Sequence, residues 1–166
     1  TAHQIDLLNS WLKRLIDTDN REEKKELLRR IVVVGAYLKR RNNLILVNEQ
    51  DGIIKTEELK LSLNEMMKNL QLANISCAST VQFEDDIPSN IAMQLFDFYE
   101  YVVENTFDGL KSLLARFFHR DGSYFACIDV VCSLDLTNLK KENLTVSVSE
   151  ENCYTLSFQV KEGDGK

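Results

Sequence analysis

Only one proline, Pro88, interrupts this chain of 166 residues, and it carries only six glycines. So few breakers leave room for long uninterrupted elements, above all in the first two thirds. From Gln4 to Asp17 the apolar residues Ile5, Leu8, Trp11, Leu12, Leu15 and Ile16 recur at helical spacing and make one apolar face. Asp17-Thr18-Asp19-Asn20 is a turn, and Asp19 or Asn20 can cap the next helix. Glu22 to about Leu46 reads as that second helix, acidic at its start and basic later, in keeping with the helix dipole. Leu27, Leu28, Ile31, Val34 and Leu38 form its stripe. Two helices joined by a short turn form an antiparallel hairpin. Such a hairpin cannot bury two apolar stripes alone and is expected to pair with a second copy as a four-helix bundle.

Glu49-Gln50-Asp51-Gly52 breaks the pattern and divides the expected domains, a helical hairpin at 1–50 and a second unit at 51–166. Thr56-Glu57-Glu58 is expected to cap a third helix with Leu59, Leu63, Met66, Met67 and Leu70 on its face, ending at Asn74. Ile75 to Phe83 reads as a strand and Glu84–Ser89 as a loop. A helix begins at Pro88 or Ser89 and is expected to run to about Phe118, with Gly109 as a point of interruption. Phe96, Phe98, Tyr99 and Tyr101 on that helix are expected to be core and cover. Ser123 to Leu136, Leu144 to Ser149 and Tyr154 to Val160 read as strands. The fold class is therefore α+β: an N-terminal helical hairpin, then a two-layer α/β sandwich whose mixed or antiparallel sheet carries helices on one face.

The net charge of −6 disfavours nucleic acid as a partner. The basic run Lys39-Arg40-Arg41 reads as a solvated helix end. No apolar run is long enough to span a membrane. The chain opens in mid-pattern at Thr1 and is expected to be a fragment of a longer protein. The four cysteines, Cys77, Cys127, Cys132 and Cys153, include no CxxC pair, and Cys127 and Cys132 face opposite sides of a strand. With two histidines in the chain, a zinc site is not expected, and four buried reduced thiols are.

With this order of elements the chain resembles a sensor histidine kinase over nearly its whole length. The hairpin looks like the dimerisation and phosphotransfer domain. The remainder looks like the ATP-binding domain of the histidine kinase, Hsp90 and gyrase superfamily, without its lid. Three boxes carry the likeness. Ile5-Asp6-Leu7-Leu8-Asn9-Ser10-Trp11-Leu12 matches a phosphoacceptor box in Asp6, Leu8 and Leu12, but Ile5 stands where the family has histidine. Only a nucleophilic imidazole can take a phosphoryl group as a phosphoramidate. His3 is the candidate acceptor in its place, about 200° around the helix from Ile5. Asp6 would be the general base in the family, and otherwise solvates the helix start.

The second box places a Glu and an Asn four residues apart on a helix, the Asn as Mg²⁺ ligand. Val103-Glu104-Asn105-Thr106 fits with Asn105 as metal ligand, but Tyr101 then holds the acid position. In the other register Glu100 is the acid and Glu104 replaces the asparagine. The third box, Asp-x-Gly-x-Gly, reads the adenine. Val160-Lys161-Glu162-Gly163-Asp164-Gly165 keeps Gly163 and Gly165 but has Lys161 for the aspartate, and lysine offers an exocyclic amine no acceptor.

The resemblance implies a cytoplasmic signalling domain, or the intracellular part of a membrane-anchored sensor. It would be a homodimer through the hairpin, acting on a response regulator receiver domain, with catalysis weakened or lost. ATP and Mg²⁺ are the implied cofactors of an active enzyme, and none of an inactive one. The alternatives are an active kinase with a divergent site and a non-catalytic α+β module that binds a ligand or partner.

Overall fold

In the computed structural model, residues 1–163 are described, apart from the side chains of residues 47–51. Helix α1 spans Ala2–Asp17 and α2 spans Arg21–Asp51. The turn between them is closed by Asn20, whose Oδ1 accepts the Glu22 and Glu23 amides at 3.0 and 3.3 Å. The second helix continues past Leu46 to Asp51, where Gly52 turns the chain at φ +67°. Strand β1, Ile53–Ile54, pairs antiparallel with β3, Ile87–Pro88, so the expected linker and loop are tied together in a two-stranded ribbon.

Between those strands lie α3, Thr56–Leu72, and β2, Ser76–Gln82. The α3 start is not capped by its own threonine. The Asp86 Oδ1 accepts the Thr56 amide at 3.3 Å, so the cap comes from the loop beside it in space. Asn74 ends the helix as expected, at φ 63° with the Ile75 amide bonded to the Leu70 carbonyl.

Helix α4 is Ser89–Thr106, not a helix to Phe118. Beyond it, β4 runs Leu110–Arg120, followed by β5, Ser123–Cys132, β6, Leu144–Glu150, and β7, Cys153–Lys161. Gly109 makes the break. A Cβ there would sit 2.5 Å from Ser133 Oγ and 3.0 Å from the Leu134 amide nitrogen, so only glycine lets the helix end fold back onto the sheet. The five-stranded sheet has the order β2-β4-β5-β7-β6, with β2 parallel to β4 and the other pairs antiparallel. The chain is thus α+β, a helical hairpin followed by a mixed sheet with helices on one face.

Helices α3 and α4 cover that face. Phe96, Phe98 and Tyr99 are fully buried, and Phe98 stacks on Phe158 of β7 at 4.8 Å between centroids. One face of α2 joins the same core through Val33, Tyr37 and Leu44. Cys127 and Cys132 do face opposite sides: Cys132 points inward, its Sγ 3.6 Å from the Thr106 carbonyl, while Cys127 lies beside Ser157. Only Cys132 of the four thiols is buried; the other three are half-exposed, because they sit on the outer face or at the edge strand of the sheet.

The basic run is not a solvated helix end. Arg40 pairs with Glu65 of α3. Arg41 grips Asp97 of α4 with two nitrogens, at 2.9 and 3.1 Å, and the Tyr37 hydroxyl donates to the same carboxylate at 2.8 Å. These bonds pin α2 to the helical layer at the point where Asp97 interrupts an otherwise apolar run.

Candidate functional site

A cavity of about 330 Å³ opens between α1, α2 and α4. Each helix presents one stripe to it: His3, Leu7 and Trp11 from α1, Arg30, Val33 and Val34 from α2, and Glu100, Val103 and Glu104 from α4. The spacings are three and four, so the helical period alone sets each stripe on one face.

Four of the sequence-predicted site residues meet here. Glu104 accepts a hydrogen bond from Gln4 Nε2 at 2.9 Å, and its other oxygen lies 3.4 Å from His3 Nε2. His3 is mostly exposed, with 68% of its side chain open to solvent, while Glu104 is largely covered. Asn105 lines the cavity, its amide nitrogen donating to the Tyr101 carbonyl at 2.7 Å. Glu100 lies one turn before Glu104 and is 1% exposed. Neither of its oxygens has a hydrogen-bond partner among the described residues. Burial first, then the neighbouring Glu104 carboxylate, and Asp97 beyond it, push the Glu100 carboxyl well above the usual range. A protonated Glu100 can share its proton with Glu104, and that satisfies both.

The remaining candidates are elsewhere. Asp6 is exposed on α1 and does not line the cavity. Gly163 follows β7 at φ +89°. Lys161 pairs with Ser123 and the Glu162 amide bonds the Gly122 carbonyl, whereas Cys153 at the start of β7 pairs with Val131, next to the Cys132 that touches Thr106. Gly163 and Asn105 therefore lie at opposite ends of the sheet, roughly 30 Å apart by strand rise. Gly165 lies outside the described residues.

Sequence reasoning missed the other half of the cavity wall. Arg30 lies over the rings of Trp11, at 6.0 Å, and Phe107, at 5.4 Å, and is ion-paired with Asp108 and Glu26. No local pattern links a residue on each of three elements. Asp97 was visible as a lone acid between Phe96 and Phe98, the signal of a polar anchor at the edge of an apolar face.

Chemically, the mouth of the cavity holds a solvent-reachable imidazole beside a carboxylate, an arrangement that can orient the ring and leave its other nitrogen free. The floor holds a water-stripped acid. The residues do not fit a nucleotide with Mg²⁺. Asn105 and Glu104 lie at one end of the sheet and Gly163 at the other, so the residues expected to hold it are not brought together.

No protein-family profile matches this chain, and neither does any curated protein. Among solved structures, the histidine kinase domain of the Erythrobacter litoralis EL346 blue-light activated histidine kinase is similar at TM-score 0.53 and 12% identity, covering 97% of this chain and 94% of that one. A bacterial phosphotransferase is similar at TM-score 0.50 and 13% identity, covering 94% and 88%. The Acinetobacter baumannii histidine kinase AdeS is similar at TM-score 0.48 and 11% identity, covering 97% and 96%. The chain has a histidine-kinase-like fold.

Proposed function

We propose that this chain is a cytoplasmic histidine-kinase-like signalling domain of a two-component system. It dimerises through the α1–α2 hairpin and passes a signal to a response regulator receiver domain, with its ATP chemistry weakened or lost. The division at residue 50 then separates a hairpin that pairs with its copy from a sandwich that α2 holds in place.

The observation that carries the reading is the outward face of the hairpin. Ile5, Leu12 and Ile16 on α1 are 49%, 44% and 82% exposed, and Leu28 and Val32 on α2 are 49% and 48% exposed. On α1 they share one narrow stripe, at i, i+7 and i+11. On α2 they lie opposite the buried Val33 and Tyr37 face that α4 already covers. Each helix thus has one face bound within the chain and a second apolar face left for a bundle partner.

Loss of ATP chemistry is supported by Lys161 and by the separation of Asn105 from Gly163. Titration of a non-hydrolysable ATP analogue with Mg²⁺, followed by calorimetry, tests it: no saturable heat is expected. Binding that Asn105→Ala abolishes would establish a working nucleotide site instead.

A second reading is favoured by the His3–Glu104 contact. His3 would accept a phosphoryl group, with Glu104 holding the ring. The active-kinase form of that reading uses ATP; the other takes the phosphoryl group from a partner, and one structural neighbour is described as a phosphotransferase. Radiolabel that enters the chain and disappears in His3→Ala would support this reading, and label that persists would exclude His3 as acceptor.

A further inference from the structure

Glu100 takes no part in the signalling reading, and apart from the Glu104 carboxylate with which it can share a proton, no polar group among the described residues hydrogen-bonds it. An ionised carboxylate stripped of both water and donors is costly. The groups that face it are Glu104, Asp97 and Tyr99 on α4 and Tyr37 on α2, which are acids and neutral phenols. Arg41 is spent on Asp97. Arg30 lines the same cavity but is ion-paired with Asp108 and Glu26 over two aromatic rings. His3 stands at the mouth against Glu104. Two carboxylates one helical turn apart, Glu100 and the Glu104 that Gln4 and His3 hold from the mouth side, thus lie in a concave space walled by Trp11, Val33, Val103 and Phe107. Its volume of about 330 Å³ is in the range of small-molecule sites.

We propose that this cavity binds a small organic cation, a primary ammonium on an apolar stem, with the ammonium between Glu100 and Glu104 and the stem against Trp11 and Phe107. Three N–H donors on one atom meet two acceptor carboxylates. Arg30 already lies over the Trp11 and Phe107 rings, so these walls favour the stem by burial. A bare metal ion gains nothing from those walls. Moreover, no group of three or more His, Cys, Asp or Glu side chains among the described residues is arranged to hold one. In the empty site Glu100 keeps its proton. The ammonium takes that proton's place, so one proton passes to solvent for each ligand bound and the carboxylate it leaves is neutralised by the cation. Binding of such a cation does not depend on the signalling reading.

Trp11 is the only tryptophan in the chain and lies in the cavity wall, so its fluorescence reports occupancy directly. The parent protein is titrated with hexylammonium and with hexan-1-ol, which has the same stem and no charge. Saturable fluorescence change is expected with hexylammonium and at least ~10-fold weaker binding with the alcohol. Glu100→Gln and Glu104→Gln, both close in shape to the parent residue, are each expected to lose ~10-fold or more in affinity for hexylammonium. Calorimetry of the parent in two buffers of different ionisation enthalpy is expected to show release of about one proton per ligand. Equal binding of the alcohol would reduce the site to an apolar hole and overturn the proposal. So would the absence of saturation with hexylammonium, binding without proton release, or unchanged affinity in either variant.

Discussion

Replacing Glu100 with glutamine should stabilise the protein, and the gain should grow with pH. The folded protein holds the Glu100 proton well above the ordinary value of 4.5, because the carboxyl is buried and Glu104 and Asp97 are near. The unfolded chain releases it near that ordinary value. Between the two, the folded state binds one proton more than the unfolded state, so stability falls as pH rises. The slope is about 1.4 kcal/mol per pH unit for one proton. It sets in above the ordinary carboxylate range and levels off once the folded carboxyl itself ionises. Glutamine keeps the size and can donate to Glu104 as the protonated acid does, but it carries no proton to lose. Urea unfolding of parent and Glu100→Gln at pH 5, 6 and 7 isolates this, since every other titrating group is common to both. From pH 5 to pH 7 the stability difference is expected to grow by up to about 3 kcal/mol in favour of the variant. A difference that stays flat over that range would show that Glu100 is ionised in the folded protein, and the picture of a water-stripped, protonated acid would be wrong.

Other perturbations act through the packing. Asp97→Ala removes the acceptor of both Tyr37 and Arg41 and should cost about 1–2 kcal/mol in urea unfolding, discounted because the carboxylate is partly exposed. Phe98→Ala empties a fully buried site stacked on Phe158 and should cost about 3–5 kcal/mol, read as a lowered thermal midpoint. Gly109→Ala drives a Cβ against Ser133 and Leu134 and should destabilise by about 1–3 kcal/mol in the same assay, whereas alanine at Gly35, where no atom lies within 4 Å of an added Cβ, should not destabilise.

The hairpin and the β6–β7 pair were legible because their apolar residues repeat with one clear period. Strand β4 was not. Leu110, Leu113, Leu114 and Phe117 stand at i, i+3, i+4 and i+7, which is helical spacing, and only Gly109 marked the break. In the structure the same segment alternates, with Leu113, Ala115 and Phe117 inward and Leu114 and Arg116 outward. A strand inside a sheet is decided by its neighbours, and β4 has β2 on one side and β5 on the other. The Glu100–Glu104 pair could be read from a four-residue spacing on one helix. Their meeting with His3 and Gln4 could not, because about a hundred residues separate them and only the docking of α1 near α4 joins them. The same holds for Arg40 and Arg41, whose acidic partners are on α3 and α4.

The outward apolar stripe of the hairpin bears most of the weight of the proposed signalling role, and a solution mass tests it directly. Light scattering across a concentration series is expected to give twice the chain mass for the parent, and the chain mass for a variant carrying Leu12→Glu and Ile16→Glu, which places two charges in the stripe without touching the cavity. A parent that remains at the chain mass at every concentration would contradict a dimer built on this hairpin, and with it the proposed relay.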